Sequence, residues 1–254
     1  MLDEADGIRR KRRESVRLVG ELLRSAFLQM FGDPVTHPGV RNLQAGWRLV
    51  TVQQVAANDD DACTGGPFGS SLIRADYVAT PGVPIIRGNN LLAKRASFRD
   101  EDFVFVTDAK AEALRRNLAF PGDIVFTQRG TVGQVAQIPR TARYPRYIIS
   151  QSQMKLTVNE GVVDPTYLVN YFLSPRGKLD LRARTLATGV PHINLSILKA
   201  FPLVLPPLPL QGCFAAFASK HNEALARLDN ASCEAARLFD SLVRQSFRAE
   251  LAAR

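Results

Sequence analysis

Arg140, Arg143 and Arg146 recur at three-residue intervals in the segment RTARYPRY, interleaved with Tyr144 and Tyr147. A guanidinium is a planar fork of donors that matches phosphate oxygens or a guanine edge, and a tyrosine ring offers a face on which a base can stack. From residue 124 to residue 159 the chain has no Asp or Glu, and it adds Arg129 and Lys155 to those three bases. Two readings stand for this stretch: a face for a polyanion, or a solvated basic hairpin. A second polar set, Arg74, Arg87, Asn89, Asn90, Lys94 and Arg95, follows the glycine-bearing segments GPFGSS and GVPIIRG. An asparagine amide can donate to and accept from an adenine edge, and Gly88-Asn89-Asn90 equally suits a turn at a strand end. GPFGSS reads as a tight loop whose backbone amides could meet a phosphate.

Other chemistry is poorly provided for. There is no G-x-x-x-x-G-K phosphate loop, and Ser150 and Ser152 have no nearby histidine to activate them. His37, His192 and His221 are far apart, and no Cys/His spacing suits zinc. Cys63, Cys213 and Cys233 are an odd, scattered set, which fits free thiols in a reducing cytoplasm. Asp164-Pro165-Thr166-Tyr167 resembles the D-P-P-Y tetrapeptide of DNA amino-methyltransferases, but its third residue is Thr. No glycine-rich strand-to-helix loop precedes it to hold S-adenosylmethionine, and Pro165 is well placed to start a helix. The expectation is a non-catalytic chain that binds neither metal nor cofactor itself.

The elements that position these residues follow from periodicity. Apolar residues from Val16 to Met30 recur at three- and four-residue spacings and predict a helix over residues 1–33, stopped at Gly32-Asp33-Pro34. Its basic run at residues 9–13 is flanked by Asp3, Glu4, Asp6 and Glu14 and reads as phosphate contact or as a solvated face. Residues 34–47 form a turn-rich connector ending at Trp47. Residues 48–56 and 83–88 are extended by pattern, and 57–71 form a loop. Residues 109–118 are helix-favouring, and Ile124–Thr127 is a strand entered through a Pro-Gly-Asp turn. Residues 131–138 resume an extended pattern with Gly133 as a bulge or close approach, and a further strand follows the basic loop. Residues 165–185 are helical with a break at Ser174-Pro175, and 203–205 form a short strand. From about residue 208 a near-heptad stripe predicts one long helix to the C-terminus.

The chain of 254 residues is 46% hydrophobic with a formal charge of +9 and a pI near 9.9. That balance suits a polyanionic partner. The excess is local: residues 124–205 carry ten Lys/Arg against three Asp/Glu. No apolar run is long enough for a membrane span, and the N-terminus lacks the apolar core of a signal peptide. Shifting the chain by 220 residues lays Glu14, Arg17, Leu18, Leu22, Arg24 and Phe27 over Glu234, Arg237, Leu238, Leu242, Arg244 and Phe247. Two copies of one helical element thus flank a single globular region. The expected fold class is α+β: one mixed domain, residues 34–207, between helices 1–33 and 208–254 that form an antiparallel coiled-coil pair.

GDIVFTQRGTVGQVAQIP and YIISQSQMKL, with GPFGSSLIRADYV, GVPIIRGNNL, TGVPHINLSILKAFPLVLPPLPLQ and LLRSAFLQMFGDPVTHP, resemble Type I restriction-modification specificity subunits, in the family's order and over nearly the whole chain. Family members carry two recognition domains alternating with two long helices, so this chain resembles a half-length subunit or the C-terminal half of a full one. The resemblance implies that the domain reads half of a split site in double-stranded DNA while the helices set the spacing. It implies partners as well: methylation subunits that bind S-adenosylmethionine and flip and methylate an adenine, a restriction subunit where one is present, and a second copy of the chain paired through the helices. The other classes are an anti-restriction or coiled-coil interaction protein and a stand-alone methyltransferase.

Overall fold

The computed structural model describes residues 2–32, 44–79, 82–92, 97–186 and 190–252. The helices are α1 (Leu2–Phe31), α2 (Val52–Val55), α3 (Asp108–Ala113), α4 (Pro165–Leu173), α5 (Pro175–Ala183), α6 (Leu195–Lys199) and α7 (Leu208–Ala252). The strands are β1 (Arg48–Thr51), β2 (Cys63–Gly65), β3 (Val83–Ile86), β4 (Leu91–Leu92), β5 (Ser97–Phe98), β6 (Val104–Val106) and β7 (Leu118–Ala119) in the first part. They continue as β8 (Ile124–Thr127), β9 (Val135–Gln137), β10 (Tyr147–Ile149), β11 (Gln153–Leu156) and β12 (Pro202–Leu205). The mixed α/β class expected from the sequence is what the chain adopts.

Two compact units divide it: Phe31–Ala215, and Met1–Met30 with Ala216–Arg254. In the first, two four-stranded sheets run in the orders β6-β3-β10-β7 and β2-β11-β8-β9. Side chains alternate across each strand, so neighbours face opposite ways. Ile86, Tyr147 and Ile149 pack with Val125, Ala136 and Ile138 between the sheets, while Ile85 and Ile148 turn outward onto Leu72, Ala111 and Leu114. All four residues of β8 and all four of β11 are buried, because α4 covers the other face of their sheet; the Phe126 and Phe172 rings meet edge-on at 4.9 Å. β1 and β12 pair antiparallel, tying the start of this unit to its end.

Local chemistry explains the helix starts. Asp164 caps α4 by accepting from the Thr166 and Tyr167 amides at 2.7 and 3.2 Å, with Pro165 at the first position. Ser174 ends α4 and caps α5 through the Gly177 amide at 3.1 Å, the break expected at Ser174-Pro175. α7 runs for 45 residues, about 68 Å at 1.5 Å per residue. In its unit, His221 is buried and its Nε2 meets the Val19 carbonyl of α1, and Phe27 and Ala218 are buried as well.

Several expectations are corrected. The pattern at residues 48–56 is strand only as far as Thr51, after which the Gln54 side chain accepts from the Thr51 amide and starts α2. The loop at residues 57–71 contains β2, an edge strand paired to β11. Extended structure in 131–138 is confined to β9, and Gly133 sits in the preceding turn at φ 97°, a left-handed conformation and not a bulge. The strand after the basic loop is two strands in different sheets: residues 150–152 carry the chain from β10 to β11. The connector at 34–47 falls mostly outside the described residues.

Candidate nucleic-acid interface

The strand directions sort the loops of the Phe31–Ala215 unit to two ends. β2, β3, β8 and β10 all point to one end, where residues 66–72, 87–90, 128–134 and 150–152 come together. Residues 190–193 join them, since the Ile193 amide donates to the Gln128 carbonyl at 2.9 Å and Arg129 bridges to His192. The opposite end holds residues 120–123, 138–146 and 157–160.

The first end is built by close backbone approach and by amide side chains. A Cβ on Gly66 would lie 2.0 Å from the Ser150 carbonyl oxygen, so only glycine lets the 66–72 loop seat on the 150–152 crossing. Gln151 Nε2 donates to the Gly69 and Leu72 carbonyls at 2.6 and 3.0 Å, and Gln128 Nε2 donates to the Gln151 carbonyl at 2.8 Å. One relay thus joins the loop bearing Phe68 to the turn bearing Arg129. Phe68 is 91% exposed. Arg129 and Asn89 are exposed at this end, and Arg74 is exposed on the short turn that follows the 66–72 loop. A cleft of about 550 Å³ between the 130–134 turn and α5 is lined by Leu181 and Pro191 and bordered by exposed Lys178 and Arg182.

The basic loop at the opposite end is partly neutralised by partners. Arg140 pairs with Glu160, and Arg146 with Asp108 at 2.7 Å. The Arg143 amide donates to Asp100, and its guanidinium lies 5.6 Å over the Tyr144 ring. Exposed pairs of this kind add at most about 1 kcal/mol of stability, yet they offset the charge of two of the three arginines, and the Arg143 guanidinium has no carboxylate partner among the described contacts. Tyr147 is fully buried with its hydroxyl donating to Asp100 at 2.7 Å, so it is no stacking platform. Burial, and then that bond, push its phenol well above the ordinary range.

Two further candidates are corrected. Asn90 is fully buried: its Oδ1 accepts from the Arg87 amide at 2.9 Å, and its Nδ2 donates to the Arg99 and Glu101 carbonyls at 3.0 and 2.9 Å. It makes a turn and has no group left for a base edge. Lys155 is 5% exposed in β11, 3.9 Å from buried Asp123, because strand alternation points it inward. Arg87 is half-buried, with one nitrogen donating to the Asp102 carbonyl at 3.2 Å. Lys94 and Arg95 lie outside the described residues. Asp164 is taken up by capping α4, which accounts for the methyltransferase-like tetrapeptide without chemistry.

Sequence reasoning passed over Phe68, Gln128, Gln151, Lys178 and Arg182. The acid-poor span 124–205 was the signal for the two cations; nothing in the sequence marks the glutamine relay.

Loops from both sheets thus gather at one end of the scaffold, with exposed cations beside a cleft. The sequence matches the family profile of the Type I restriction modification DNA specificity domain, Methylase_S, over residues 71–232, and the chain belongs to that family. No curated protein matches it. Solved structures show the same fold. A chain of a type I R-M system, studied for its complex assembly and conformational transition, aligns with TM-score 0.61 at 18% identity, over 96% of this chain and 55% of that one. The HsdS subunit from Thermoanaerobacter tengcongensis aligns at 0.57 and 19%, over 97% and 55%. The S subunit of a Type-I restriction-modification system from M. genitalium gives 0.50 and 13%, over 95% and 55%. The chain therefore spans about half the length of the solved structures it matches.

Proposed function

We propose that this chain is a non-catalytic, sequence-specific DNA-recognition subunit of a Type I restriction-modification complex. The observation that carries the reading is the family match over residues 71–232, which takes in the 87–90, 128–134, 150–152 and 190–193 loops of one end. Arg129, Lys178 and Arg182 supply phosphate contacts there; exposed Asn89 is placed to read a base edge, with Arg74 nearby. The reading moves the DNA face away from Arg140, Arg143 and Arg146.

The partners in this proposal are double-stranded DNA, methylation subunits that hold S-adenosylmethionine, and a restriction subunit where the system has one, acting in the cytoplasm. Among the described residues no helix is long and apolar enough to cross a membrane. The domain partition, residues 34–207 between helices 1–33 and 208–254, serves this role: α1 and α7 pair as an antiparallel coiled coil and set the distance to a second reader. A second copy supplies that reader. Leu18 and Leu22, one turn apart on α1 and about half exposed, are an apolar strip that such a dimer would cover.

The test is co-expression with Type I methylation subunits, followed by mapping of methylated adenines. An inverted-repeat site with an unread spacer is expected. Absence of any sequence-dependent methylation, together with no retardation of a random duplex pool by the chain alone, would remove the reading.

A further inference from the structure

We propose that Phe68 is an apolar contact to the bases of the recognised duplex, held out from the domain for that purpose; this rests on the DNA-recognition reading above. The side chain is 91% exposed, the largest exposure among the large hydrophobic residues described. A phenylalanine so placed loses the burial that elsewhere drives its position. The loop gives the ring no route inward, because both of its ends are fixed. On one side Pro67 is buried, and Gly66 lies against the Ser150 carbonyl while its amide donates to the Gln153 carbonyl at 2.8 Å. On the other, the Ser71 amide returns to the Phe68 carbonyl at 3.1 Å, and Leu72 is buried at 4% exposure. Gln151 clamps the span between them at Gly69 and Leu72. The loop is therefore ordered before any partner arrives, and presenting the ring costs little ordering entropy on binding.

The surroundings favour nucleic acid as the occupant. No Asp or Glu occurs from residue 62 to residue 75, from 124 to 159, or from 190 to 199, the segments that supply the Phe68 loop and its neighbours. The relay through Gln128 and Gln151 fixes the Phe68 loop relative to the turn that carries Arg129. A cation and an apolar ring in fixed relation, on loops that carry no carboxylate of their own, can hold a phosphate and touch the base step or thymine methyl beside it, a use to which proteins put phenylalanine in both grooves.

Duplexes selected from a random pool by the full wild-type chain provide the probe. Phe68→Ala should weaken binding to the selected duplex by at least about fivefold, the low end of what removing one base–aromatic contact costs. The slope of log affinity against log salt should not change, because an uncharged ring releases no counterions. The melting temperature should not change either, and Phe68→Trp should restore affinity. Equal affinity of Phe68→Ala and wild type for the selected duplex would overturn the inference. So would unchanged DNA affinity accompanied by loss of co-purification with the methylation subunits, which would assign the ring to a protein contact. Failure of the wild-type chain to select any sequence would instead defeat the DNA-recognition reading on which the inference stands.

Discussion

Replacing Gly66 by Ala is the most informative single substitution, because the structure states what the added methyl meets. The new Cβ would sit 2.0 Å from the Ser150 carbonyl oxygen, 2.7 Å from its carbon and 2.9 Å from the Gln151 Cα. These are backbone atoms at the crossing between two sheets, so no side chain can rotate away and the 66–72 loop must lift by more than an ångström. Overpacking of a tight site costs about 1–3 kcal/mol. The lift also breaks the hydrogen bond from the Gly66 amide to the Gln153 carbonyl, worth about 1 kcal/mol. For a unit the size of Phe31–Ala215 each kcal/mol moves the midpoint by about 2–4 °C, so the expected fall is about 4–16 °C. Circular dichroism melting of the full chain reads this, and DNA binding by the same protein should fall with it, because the displaced loop carries Phe68. A midpoint within about a degree of wild type would refute the argument that the close approach is what glycine is for.

Replacing Arg140, Arg143 and Arg146 together by Ala should leave the salt dependence of DNA binding nearly unchanged, whereas Arg129→Ala should lower the log–log slope by about 0.9; titration of affinity against salt decides between the two ends of the domain. Asp164→Ala should cost about 1–2 kcal/mol through loss of the α4 cap, seen as a lower melting midpoint, and should leave methylation by the assembled complex intact. Burial pushes the Cys63 thiol up to about 11, so at pH 8 a thiol reagent should titrate exposed Cys213 and Cys233 quickly and Cys63 only on unfolding. The folded thiol keeps its proton after the unfolded one has ionised near 9.0, so stability should fall as pH rises from about 9 to 11, and the Cys63→Ala variant should lose that fall.

Where local chemistry decides, the sequence was legible. The buried run Ile124–Thr127, the capping Asp164-Pro165, the break at Ser174-Pro175 and the long C-terminal helix each follow from residues within a turn or two of one another. The failures share a different cause. Residues 147–156 read as one strand interrupted only by the polar run Ser150–Gln153, and what splits them is a change of sheet at Ser150–Ser152 that depends on pairing with β3 and β2, over sixty residues earlier in the chain. β2 is too short to show a period, and it is a strand only because β11 offers it an edge. Arg140 and Arg146 pair with Glu160 and Asp108, and the Arg143 amide donates to Asp100, all acids outside the acid-free window that made the arginines conspicuous. Counting charge along the chain could not register acids brought in from the flanks by the fold.

That same redistribution explains why the end proposed to read DNA looks less basic along the sequence than the opposite end. Phosphate contacts hold a protein on a duplex and carry no sequence information; discrimination comes from neutral donors, acceptors and apolar groups at base edges. A reading surface made of arginines alone would bind every sequence tightly. Here Gln128 and Gln151 spend their amides on fixing two loops, which leaves exposed Asn89, Arg129 and Phe68 as the groups turned outward from a stiff base. Stiffness matters because a wrong base is rejected only if the side chain that meets it cannot shift to another partner. In the proposed function the Gln128–Gln151 relay would govern selectivity more than affinity: cutting it at Gln151 should leave the phosphate contacts proposed for Arg129, Lys178 and Arg182 in place and let the loops drift between alternative base edges.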